Sequence, residues 1–231
     1  LSLPSVPHSI VHRLDYATSG LLFVARNPDS QRYMHSLFRS RGLQKEYSAL
    51  VHGHVGAEGD KGTTTFEAVQ DVRHRPWMAV ATEGYVEQLE GMEERSEWAE
   101  GVLGKLRREG RRGLDNVSEW GIEGHFRVAV GGGTAKVTRV GMRPRTGRTH
   151  QLRITAREEW GRGILGDEGY AVGGEAKGVV KEAGGGDEVE INKRWGKAMC
   201  LNSRRLRWKH RITGQVVDVS IGDWWEEDLL V

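Results

Sequence analysis

At 231 residues and 25.8 kDa the chain is long enough for one sizeable mixed domain or two small ones, and 37% hydrophobic residues with 32 glycines describe a modest core carrying polar loops. No apolar run reaches the roughly 18 residues that a membrane span needs, and the start LSLPSVPHSIVHRLD lacks the basic head and apolar block of a secretory signal. The single cysteine, Cys200, excludes an internal disulfide framework and a cysteine-rich zinc site, so an intracellular protein is expected, cytoplasmic or organellar and not secreted.

In chain order, Leu21–Ala25 is a short apolar run that predicts a buried strand. Asn27-Pro28-Asp29-Ser30 predicts a helix start, with a capping Asn, Pro at the first helical position and an acid in the first turn. Met34, Leu37, Phe38 and Arg41 would share one face of that helix, and Gly42 would stop it. Glu46–Val51 alternates as a strand with Tyr47, Ala49 and Val51 on one side. Residues 84–125 lose this regularity: only Ala99, Val102, Leu103 and Leu106 keep helical spacing among scattered glycines. The segment reads as a peripheral insertion, partly helical, with an acidic first half. Strand patterns resume at Phe126–Val130 and Ala135–Val140, and Thr149 is placed to cap a helix whose inner face holds Leu152, Ala156 and Trp160. A second insertion is expected at 173–195, opening on a glycine-rich loop, and Val217, Val219 and Ile221 alternate into a last strand.

The net charge of +2 says little, but its distribution says more. Residues 139–157 hold six arginines and no acid, and residues 193–211 hold eight Lys or Arg and no acid, while acids gather between Glu83 and Glu100. Such segregation suits a surface that faces a polyanion, although a charge run alone is as often a solvated face.

Three clusters offer chemistry. In His12-Arg13-Leu14-Asp15 a carboxylate stands beside an arginine just before an apolar run, where it could be held ionised, though taken alone an Asp near Thr and Ser more often bends the chain. Residues 143–153, RPRTGRTHQLR, combine a turn with a helix start, where backbone donors and guanidinium groups could hold phosphates or fix a carboxylate. Residues 165–170, LGDEGY, put an acid and an aromatic in a turn.

Together these segments resemble the RluA-type family of pseudouridine synthases. HRLDYATSGLLFVA resembles the family's HRLDxxTSG signature, Lys45–Leu50 its KxYxAL strand, and Thr146–Arg153 its TGRTHQLR signature at every position. ILGDEGY resembles the following turn, with Gly163 where proline is usual, and Leu201–His210 the terminal LHAxRLxFxH element, with Asn202 where histidine is usual. Only eleven residues precede His12, where the family has a strand and a KPxG turn, so that strand is expected to be missing.

The resemblance implies a single α+β catalytic domain with a mixed, mostly antiparallel central sheet flanked by helices and loops. It implies Asp15 as the catalytic aspartate, Tyr47 as the ring against the target base, and Arg153 as the basic partner of the catalytic carboxylate. Arg13 would help fill the space left by the flipped nucleotide, and Arg148, His150, Gln151, Arg204 and Arg205 are expected to bind RNA. The implied reaction isomerises chosen uridines of tRNA or rRNA. The base leaves the stack, its glycosidic bond breaks with help from the carboxylate, and it re-bonds through carbon 5. The change is redox-neutral, so no cofactor and no metal is expected, and neither is a membrane; a monomer acting on RNA is expected. Two rival readings are a non-catalytic RNA-binding protein on the same fold and a nucleoside hydrolase, which would need a second working carboxylate.

Overall fold

The computed structural model describes residues 10–71, 77–93, 96–107, 114–172 and 188–230. Its strands are β1 Ser19–Gly20, β2 Gln44–His52, β3 Lys61–Gln70, β4 Met78–Val80, β5 Leu114–Val130, β6 Gly133–Pro144, β7 Leu201–Lys209, β8 Val216–Ser220 and β9 Leu229–Leu230. Its helices are α1 Pro28–Arg39, α2 Glu83–Glu90, α3 Glu97–Arg107, α4 Gln151–Trp160 and α5 Glu188–Trp195.

The strands form one sheet in the order β1-β7-β2-β6-β5-β3-β4, with β8 also beside β7 and β9 beside β5. Only the β1–β7 pairing is parallel, so the fold is α+β on a mixed, mostly antiparallel sheet, as expected. β2 lies in the middle and is buried from Tyr47 to His52. Its Ala49, Leu50 and Val51 meet Val137 and Val140 of β6, Leu152 and Ala156 of α4, and Trp225 in the main core. Among the described residues no helix is long and apolar enough to cross a membrane.

Helix α1 begins as the sequence predicts: the Asn27 side chain accepts a hydrogen bond from the Ser30 amide at 2.8 Å, and Pro28 occupies the first position. Such a cap stabilises a helix by about 1 kcal/mol. Met34, Leu37 and Phe38 pack with Val11, Leu43 and Leu206 in a second core. Arg41, however, lies beyond the helix end and not on its face, and it takes the left-handed turn conformation itself (φ 58°).

Further expectations need correction. Leu21–Ala25 is not a strand: the ladder ends at Gly20, because β8 pairs with β7 along residues 205–209 and leaves β1 only Asn202 and Ser203. The insertion expected over 84–125 does not hold in its last part, for residues 114–125 run in the longest strand and pair with β3 and β6. Of the second insertion, residues 173–187 lie outside the described residues. Residues 188–195 form α5, whose Ile191 and Trp195 join the main core. Thr149 does not cap α4; His150 stands at that position with φ 55° and no capping side-chain bond. The last strand was expected to alternate, yet Val219 and Ile221 are exposed there.

Candidate active site

The segment from His12 to Gly20 is a loop pinned at both ends, and the pins explain its sequence. The Phe23 amide donates to His12 Nε2 at 3.0 Å, and the His12 ring lies 5.0 Å from that of Phe38. Leu14 and Ala17 pack against the main core, and the Thr18 amide closes a turn on the Asp15 carbonyl at 2.9 Å. Ser19 Oγ donates to Asn202 Oδ1 at 3.0 Å, while Asn202 Nδ2 donates to Asp223 Oδ1 at 2.8 Å. Asn202, unusual for this position, is therefore the clamp that fastens the loop to β7. Gly20 has φ 112°, and a Cβ there would stand 2.5 Å from the Ser203 backbone, so only glycine lets the loop lie this close. Asp15 is held half-buried between these pins, with Arg13 and Tyr16 exposed beside it.

The charge of Asp15 acts on Tyr47 of β2, on His150 and Arg153 at the start of α4, and on Tyr170. Asp15 thus lies within electrostatic reach of four groups from three other parts of the chain, and three of them, His150, Arg153 and Tyr170, also feel Asp167. Tyr47 is 9% exposed. Burial raises the pKa of its phenol; Ser203 opposes this and Asp15 adds to it, so Tyr47 stays a neutral ring with an O–H. Burial holds His150 below the ordinary histidine range, Arg153 lowers it further, and Asp15 and Asp167 oppose.

Arg153 does not make its pair with Asp15. Its Nε and Nη2 donate to Asp167 Oδ2 and Oδ1 at 2.7 and 2.6 Å, a bidentate bond to a carboxylate that is itself fully buried. Asp167 Oδ1 also accepts from the amides of Gly169 and Tyr170, both at 3.0 Å, so the LGDEGY turn folds around it. The guanidinium lies over the rings of Tyr170 and Trp77, at 4.7 and 5.2 Å. Trp77 and Asp167 are site residues that the sequence reading missed. The LGDEGY motif signalled Asp167, whereas Trp77 follows no motif.

The TGRTHQLR segment divides its labour. Gln151 is buried and satisfied: its Oε1 accepts from Thr146 Oγ1 and the Arg148 amide, and its Nε2 donates to Val117 O and Ser118 Oγ. It ties the loop to β5 and is not free to bind RNA. His150 Nδ1 shares a hydrogen bond with the Tyr170 hydroxyl at 2.9 Å. Arg148 is exposed and has no ion-pair partner among the described residues.

Beyond the start of β2 lies a cleft of about 870 Å³, between the end of α1 and the loop 143–148. Eight of its lining residues are Arg or Lys and one, Glu46, is an acid. Arg143, Arg145 and Arg205 are each bonded to a carboxylate (Glu46, Glu119 and Asp218), while Arg39, Arg41 and Arg148 have none among the described residues. Arg204 does not line this cleft; it bonds Glu46, at the cleft's edge, and Glu123 of β5, so its charge is already paired.

Fold and site together describe an α+β domain with two carboxylates, Asp15 and Asp167, beside a basic cleft. The chain belongs to the RNA pseudouridylate synthase family, whose profile matches residues 5–158. It is 27% identical over 209 residues to the dual-specificity RNA pseudouridine synthase RluA of Pasteurella multocida, covering 90% of this chain and 70% of that protein. It is 29% identical over 210 residues to ribosomal large subunit pseudouridine synthase C of Escherichia coli, covering 91% of this chain but 51% of that one. The chain thus spans from about half to 70% of the length of these two relatives. The solved structure of human RNA pseudouridylate synthase domain containing 1 superposes with a TM-score of 0.61 at 22% identity, covering 93% of this chain and 68% of its own, which supports the fold.

Proposed function

We propose that this chain is an RNA pseudouridine synthase that isomerises a uridine of structured RNA, tRNA or rRNA, as a monomer, with Asp15 as its catalytic carboxylate. The observation that carries the reading is that Tyr47, His150, Arg153 and Tyr170 lie within electrostatic reach of Asp15, beside a basic cleft lined by their chain neighbours Lys45, Glu46 and Arg148. In this scheme the cleft takes the phosphate backbone, whose affinity rests on counterion release. The target uridine leaves the stack, with Arg13 filling its place, and its base lies against Tyr47. Asp15 then meets the positive charge that builds on the sugar as the glycosidic bond breaks. Arg153 contributes as a fixed positive field, held by Asp167 and by the rings of Trp77 and Tyr170, so its orientation is set before RNA arrives. Because the uracil is retained and re-bonded, a walled pocket with an aromatic side serves the reaction better than an open one.

A hydrolase is disfavoured by the state of the second carboxylate. Asp167 accepts two bonds from Arg153 and two from backbone amides, which leaves it no role as a proton carrier. The test is to incubate the protein with total RNA and map pseudouridine by chemical tagging. Conversion of one or a few defined uridines supports the reading. Free uracil in place of pseudouridine would indicate hydrolysis, and an unmodified RNA would remove the assignment.

A further inference from the structure

The Lys45–Leu50 signature contains one charged residue that the scheme above leaves unused on the catalytic side of the sheet. Lys45 stands two residues before Tyr47 on β2, about 6.6 Å away along the strand, with a shift in the β7 register between them. That step is comparable to the one between a nucleobase and the phosphate of its own nucleotide. The Lys45 side chain is half-buried, with its ammonium 6.0 Å from the centre of the Phe38 ring, and it lines the basic cleft. Its Nζ lies 3.6 Å from where a Cβ of Gly147 would stand, and Gly147 contributes no side chain to cover it. Among the described residues no carboxylate is within ion-pair distance of it, unlike the neighbouring Arg143, Arg145 and Arg205. Desolvation lowers its pKa, and its charge helps to depress His12 at the foot of the catalytic loop. A cation partly withdrawn from water with no counter-ion is costly, and the cost falls when a ligand brings the negative charge.

We propose that Lys45 holds the phosphate next to the extruded uridine, fixing the RNA backbone at the junction of cleft and catalytic pocket. The proposal rests on the functional reading above and extends it to one contact. Lysine suits the place because it offers a compact point charge, and the flanking Arg39, Arg41 and Arg148 can take the phosphates further along.

Lys45→Met keeps the stem over Phe38 and removes the charge. On a hairpin excised around a uridine that the wild type converts, the variant should bind roughly tenfold more weakly. Its slope of log K against log salt should be shallower by about 0.7, and Lys45→Arg should recover part of the loss. Neutral methylphosphonates, placed one at a time, should weaken the wild type at one phosphate flanking the target and cost Lys45→Met nothing further there. Equal binding by Lys45→Met, or the same methylphosphonate loss in both proteins, overturns the assignment and leaves the isomerase reading intact. If Lys45→Met fails to melt cooperatively, the wild type and Lys45→Arg decide. Sharing one sensitive phosphate supports the clamp, and a flat scan overturns it. A wild type that converts no uridine overturns the isomerase reading and this proposal with it.

Discussion

Asp15 and Tyr47 were legible as candidates because each sits in a motif whose neighbours do mechanical work: Asn202, Gly20 and His12 pin the loop, and the buried β2 carries the ring. The partner of Arg153 was not legible, because nothing in a linear pattern distinguishes two carboxylates that the fold brings to the same guanidinium. Asp167→Asn therefore makes a sharp test at this scale. It leaves Arg153 without its buried counter-charge, and losing one member of such a pair costs about 3–5 kcal/mol. Thermal melting should drop and turnover should fall; unchanged melting would mean that the pair is not what holds the guanidinium. Tyr47 is embedded in the core, so its replacement by alanine would mix lost stacking with a cavity. The cleaner comparison is Tyr47→Phe with Tyr47→Leu. The first should bind a substrate hairpin within a few-fold of wild type, and the second should lose about 1–3 kcal/mol of stacking. Indistinguishable affinities would take the base away from this ring.

Among the elements, α1, β2 and β6 follow from local signals, whereas residues 114–125 misled because that strand is interrupted by Gly121 and Gly124 and carries charged residues on an open face. The bulge near Ile122 and Gly124 breaks the alternation that a sequence reading depends on. We propose α2–α3 as the accessory unit. It has its own small core of Tyr85, Leu89, Val102, Leu103 and Leu106, closed against Ala79 and Ala81 around β4. Thr82 caps α2 through the Tyr85 amide at 3.1 Å. Replacing residues 83–107 by a short Gly/Ser linker should leave a cooperatively melting protein that still converts a minimal hairpin. Discrimination among full-length RNAs should loosen. Loss of cooperative melting would show that β4 and the sheet edge depend on the helix pair.

At the scale of the molecule, the two acid-free basic runs do not form one cationic surface. Arg139, Arg143 and Arg145 meet Glu123, Glu46 and Glu119 across strands, and Arg205 meets Asp218. Charges far apart in sequence become cross-strand neighbours, so the cations left for RNA are Arg39, Arg41, Lys45 and Arg148 around the cleft. Stability should also depend on pH. Burial holds His12, His52 and His150 below the ordinary histidine range, so their neutral forms are favoured in the folded chain. As pH falls, the unfolded chain takes up protons first; their contribution is full above about pH 6.5 and is lost progressively below it. The melting temperature should decline from pH 7 to pH 5, and a flat profile would contradict these depressed values. The most direct test of the whole account pairs wild type with Asp15→Asn on one RNA. Pseudouridine formation and binding are measured on the same preparations. The variant should form no pseudouridine while its affinity stays within a few-fold of wild type, since a carboxylate repels phosphates and contributes nothing to holding them. Pseudouridine formed equally by both proteins would contradict it.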